Sequence, residues 1–111
     1  MAKAEYRLHG GFDEILSALH DTVMGGSITA SFEEGSDASF GDTRCSVRVY
    51  ERYSAIGGNR VSMNVTAAGR DGDVFVSVIT SGGSQGMFFK LNTFGESSFL
   101  STISGALERF M

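Results

Sequence analysis

From Asp42 to Tyr53 the chain reads Asp-Thr-Arg-Cys-Ser-Val-Arg-Val-Tyr-Glu-Arg-Tyr, an alternation with the two-residue period of a β-strand. Successive strand side chains point to opposite faces of a sheet. Cys45, Val47 and Val49 therefore share one face, and Arg44, Arg48, Tyr50 and Arg52 share the other. Hydropathy assigns the first set to the core and the second, an arginine ladder with one tyrosine, to the outer surface.

The rest of the chain divides around this strand. Ala4, Tyr6 and Leu8 alternate in a first strand that ends at Gly10-Gly11. Phe12, Ile15, Leu16, Leu19 and Val23 then follow the helical i, i+3, i+4, i+7, i+11 spacing, with Asp13 and Glu14 at the positive end of the helix dipole and Gly25-Gly26 at its exit. Ile28, Ala30 and Phe32 alternate in a second strand, and residues 34–41 read as a loop.

Gly57-Gly58 marks a hairpin into a fourth strand carrying Val61, Met63, Val65 and Ala67. Asp71-Gly72 is the preferred pair for a tight type I′ turn and leads to Val74, Val76 and Val78. Phe75 and Ile79 fall on the opposite, outer face of that fifth strand. Met87, Phe89 and Leu91 alternate in an expected sixth strand, Thr93 to Glu96 fits a capping box, and Phe99, Ile103, Leu107 and Phe110 form the stripe of a last helix.

The order β-α-β-β-β-β-(β)-α predicts an α+β fold: a single-domain two-layer sandwich, with an antiparallel sheet of five to six strands and both helices on one face. That order resembles helix-grip and related folds. In such folds a cleft between sheet and C-terminal helix holds a small molecule, here lined by Val47, Met63, Val76, Phe99 and Ile103.

A hydrophobic fraction of 41% with nine Phe in 111 residues is enough for one packed core. The net charge of −4 disfavours nucleic acid and anionic membrane as partners. No apolar run approaches the length of a membrane span, and the opening residues lack the apolar stretch of a signal peptide, so a cytoplasmic location is expected. Cys45 is a lone cysteine. On the assigned core face it reads as a buried, inert thiol.

The candidate sites are few. Arg44, Arg48, Tyr50 and Arg52, with Arg60 from the next strand, form a place for a small anionic ligand or protein partner, because guanidinium forks match carboxylate and phosphate. The same arginines also suit cross-strand pairing with carboxylates such as Glu5 or Asp73. Phe75 and Ile79, rimmed by arginines, suit the centre of a sheet-to-sheet homodimer, since aromatic and Arg residues are enriched at interface hot spots.

Ser81 to Gly86 lacks the features of a phosphate-binding glycine loop and reads as a connection. His9 and His20 read as surface residues. The sequence contains no catalytic constellation, metal-ligand spacing or cofactor motif. The reading is a non-enzymatic binding domain.

Three segments, Arg44 to Tyr53, Gly57 to Ser62 and Thr80 to Gln85, resemble a family of short bacterial proteins classed only as a domain of unknown function. The resemblance extends over nearly the whole chain. It implies no catalytic residue and no ligand, and it agrees with a cytoplasmic location.

Overall fold

In a computed structural model the described residues are 2–26, 29–54, 59–82 and 103–111. They form β1 (Ala2–His9), α1 (Phe12–Gly25), β2 (Ser31–Phe40), β3 (Thr43–Ser54), β4 (Asn59–Arg70) and β5 (Asp73–Gly82). Residues 103–107 are α-helical and pass into a 3₁₀ turn at Glu108–Phe110. The expected sixth strand, the capping box, the glycine-rich connection beyond Gly82, and Phe99 lie outside the described residues.

The five strands form one antiparallel sheet in the order β1-β5-β4-β3-β2. The turn between β4 and β5 places Asp71 and Gly72 at φ 52° and 81°, the pair of positive values that a type I′ turn demands. Between β2 and β3 the connection is Gly41-Asp42, with Phe40 opposite Thr43 and Gly41 at φ 59°.

The core lies on one face only. Val61, Met63, Val65 and Ala67 of β4 and Val74, Val76 and Val78 of β5 are buried there with Leu8 of β1, under Ile15, Leu16, Leu19 and Val23 of α1 and Ile103, Leu107 and Phe110 of the C-terminal segment. Both helical parts therefore contact the same face. α1 leaves through Gly26 in a right-handed conformation, φ −79°.

Two sequence expectations are overturned. Residues 34–40, read as a loop, belong to β2, an edge strand whose residues from Phe32 to Phe40 are all exposed. A strand that buries neither face has no apolar period to display. Its pairing slips by one residue at Glu33, so that Phe32 lies opposite Tyr50 and Glu34 opposite Val49.

The second correction concerns β3. Tyr50 pairs with Met63, Arg48 with Val65, Ser46 with Ala67 and Arg44 with Gly69, so the ladder stands on the helix-bearing face. Tyr50 is 1% exposed and is part of the core, whereas Val47, assigned to the core by hydropathy, is 37% exposed on the other face with Cys45 and Val49. The register against β4, whose Val61, Met63, Val65 and Ala67 are core, fixes which side of β3 faces the helices, and the arginine stems beside Tyr50 can cover apolar surface there.

Candidate functional site

The sheet presents two surfaces of different character. On the helix-bearing face, β3 points Arg44, Ser46, Arg48, Tyr50 and Arg52 toward or alongside α1. Arg44 donates two hydrogen bonds to the Asp13 carboxylate, at 2.9 and 3.0 Å, and lies 4.6 Å over the Phe12 ring. The Arg44 bond holds the exposed Asp13 carboxyl below its ordinary pKa. This clamp fastens the N-terminus of α1 to β3, where an acidic residue also suits the helix dipole.

In the second half of α1, His20 shares a 2.9 Å hydrogen bond between its Nδ1 and the Tyr50 hydroxyl. The His20, Phe32 and Tyr50 rings form a triangle with centroids 5.6 to 6.1 Å apart, the tilted and edge-on contacts aromatic groups prefer. Burial pushes the Tyr50 phenol above its ordinary pKa, against the opposing pull of Arg48. Beside this triangle Ser17, His20, Asp21, Phe32 and Arg48 line an open cleft of about 330 Å³. Ser46, between Arg44 and Arg48, is buried with no hydrogen-bond partner for its hydroxyl among the described residues.

Arg44, Arg48, Tyr50 and Arg52 share one face of the sheet, and Arg60 does not. Arg44 is taken by Asp13, and Arg60, which lies on the opposite face, pairs with Glu51. Among the described residues no carboxylate lies within ion-pair distance of Arg48. His20 and Phe32 were missed as members of this cluster. A signal existed for His20, which stands four residues after Leu16 and three before Val23, on the flank of the buried helix stripe.

On the opposite face no described helix covers the sheet. Cys45, Val47 and Val49 of β3, Phe75 and Ile79 of β5, and Ala68 of β4 share it with Ser62, Asn64, Thr66 and Ser77. Phe75 and Ile79 are thus outward, as expected, but apart from Arg44, Arg48, Tyr50 and Arg52. Arg7 sits 5.3 Å over the Phe75 ring. At one end of this face a groove of about 600 Å³ is bounded by Arg7, His9, Ala68, Asp73 and Phe75 among others, with His9 and Asp73 joined at 2.8 Å.

Val47, on this face, cannot line a cleft beneath the C-terminal helix. Met63, Val76 and Ile103, also named for that cleft, are at most 1% exposed in the core. Among the described residues no group of three His, Cys, Asp or Glu side chains is arranged to hold a metal. No helix among them is long and apolar enough to cross a membrane.

An antiparallel five-stranded sheet bearing its helical elements on one face makes this an α+β protein. The chain belongs to the family described as Family of unknown function (DUF6054), whose model matches residues 1–111. That description assigns neither an activity nor a ligand, in agreement with the resemblance carried by Arg44 to Tyr53, Gly57 to Ser62 and Thr80 to Gln85. No curated protein matches the chain.

Proposed function

We propose that this protein is a small non-enzymatic interaction domain, a cytoplasmic two-layer sandwich that self-associates through the open face of its sheet. The observation that carries the reading is that Val47 and Ile79, each 37% exposed, stand with Val49, Cys45 and Phe75 on a sheet face without a described covering element. Antiparallel sheets tolerate one wet face when it is polar, and here it is half apolar.

Five strands span about 24 Å, and a shared length of about 25 Å gives on the order of 600 Å² before side-chain relief. This approaches the roughly 800 Å² that each partner buries in a standard interface. Ile79→Asp is expected to abolish association in sedimentation velocity while leaving circular dichroism unchanged. A wild-type protein that sediments as a monomer at high micromolar concentration overturns the reading.

A second reading rests on Arg48. It is the ladder arginine beside a cleft, with an aromatic wall in Phe32 and a hydroxyl group in Ser17, while Arg44 and Arg60 are satisfied by carboxylates. Arg52 adds positive charge further along β3. Asp21 in the same cleft repels polyanions, so the ligand class is a monoanion with a planar apolar body. Benzoate is expected to shift the amide resonances of residues 17–21 and 48–50, with benzamide and Arg48→Gln giving no shift. Equal shifts from benzoate and benzamide contradict it.

A further inference from the structure

We infer that the partner on the open face is a second copy of this chain, related by a two-fold axis parallel to the strands and passing near Thr66 and Ala68. The inference rests on the self-association reading and adds its geometry. The pairing registers tie the face into transverse rows, Glu34-Val49-Asn64-Ile79-Lys3 and Ala38-Cys45-Ala68-Phe75-Arg7, with Ser36-Val47-Thr66-Ser77-Glu5 between them. Rotation about an axis parallel to the strands lays each row on itself in reverse.

The consequences are specific. The large side chains of β5 meet the smaller ones of β3: Phe75 comes over Cys45 of the second copy and Ile79 over Val49. Thr66 and Ala68 meet their own counterparts at the axis, where short side chains let the sheets approach. Lys3, at one end of its row, comes over Glu34 at the other end of the same row in the second copy. Glu34 already accepts the Gly35 N–H through one carboxylate oxygen, 3.0 Å away, and presents the second to a partner.

Phe40 adds an independent element. It is 73% exposed, the most exposed large apolar residue among the described ones, and through its pairing with Thr43 it stands on the open face at the end of β2. The same rotation carries β2 over β1 and brings Phe40 to the groove bounded by Arg7, His9, Asp73 and Phe75 of the second copy. Knob and groove are on one chain, as an isologous contact requires. A two-fold axis across the strands instead places Glu5 on Glu5 and Arg7 on Lys3, whereas the axis along them sets Arg60 and Arg70 each against its own counterpart, where Glu51 and Asp71 of the same chain offset the charge.

The test is a charge exchange read by sedimentation equilibrium at low salt, with circular dichroism to verify folding. Lys3→Glu and Glu34→Lys each place like charges across two symmetric contacts and are expected to weaken the dimer roughly tenfold. The two together in one chain restore the opposite-charge contact, and the dissociation constant returns to within about threefold of wild type. Phe40→Ala weakens the dimer by about tenfold or more.

A dimer in which the double variant is no tighter than either single one overturns this axis and leaves self-association standing. A dimer unaffected by Phe40→Ala overturns the knob-in-groove contact. A wild-type monomer throughout overturns the geometry and the reading beneath it together.

Discussion

The two faces of one sheet treat β3 unequally: its open side carries Cys45, Val47 and Val49 and its helix-bearing side a single aromatic residue, Tyr50, yet Tyr50 is the one that is buried. On the helix-bearing side Tyr50 is buried, hydrogen-bonded to His20 and packed on Phe32. On the open side Val47 and Val49 stand among Asn64, Thr66 and Ser77 with no described element above them. Burial follows what α1 and the C-terminal segment reach, and the hydropathy of β3 alone does not decide it.

The sharpest way to break the comparison is to delete apolar volume on each side. Met63→Ala, at a site with 0% exposure, is expected to cost about 2 to 5 kcal/mol in urea unfolding, whereas Val47→Ala costs less than about 1 kcal/mol. Equal losses would mean that both faces are core. Gly69→Ala comes next. A Cβ there would lie 2.5 Å from Cδ1 of Phe12, so the ring must move from beneath Arg44, at a cost of about 1 to 3 kcal/mol.

Smaller effects distinguish polar groups on the helix-bearing side. Tyr50→Phe removes the bond to His20 and is expected to cost about 1 kcal/mol, while Ser46→Ala removes a buried hydroxyl without a partner and is neutral or stabilising by up to about 1 kcal/mol. The smallest effect is pH-dependent. Asp13 has a lowered folded-state pKa, so its contribution is present above its ordinary value and is lost as pH falls through the folded value. Arg44→Gln should flatten that acid limb of the stability curve measured by thermal unfolding. An unchanged limb would show that the clamp contributes nothing.

Much of this fold was legible from side-chain order. The valine alternation of β5, the Met63 series of β4 and the Asp71-Gly72 turn each appear where local pattern and tertiary demand coincide. β2 was illegible beyond Phe32 because an edge exposed on both sides imposes no period.

The facing of β3 was misread although the chain contains the answer. Met63 is unmistakably core, and any connection with an even number of residues, as between Ser54 and its partner Asn59, pairs odd-numbered residues of β4 with even-numbered residues of β3, which puts Arg48 and Tyr50 beside the core. The hydropathy of a single strand does not reveal its facing; the parity of its connection to a strand of known facing does. The His20 and Phe32 contacts to Tyr50 depend on where α1 crosses the sheet, a tertiary fact with no local signature.

Cys45 allows the central claim to be tested with one probe, since it lies on the open face opposite the expected position of Phe75 from the second copy. The measurement is the rate of thiol labelling by a small aromatic disulfide over a range of protein concentrations that spans the dissociation constant. The account predicts rapid labelling of the dilute, folded protein and progressive protection as concentration rises, with the protection lost in Ile79→Asp. A rate independent of concentration would contradict association through this face, and a thiol that reacts only on unfolding would contradict the placement of Cys45 outside the core.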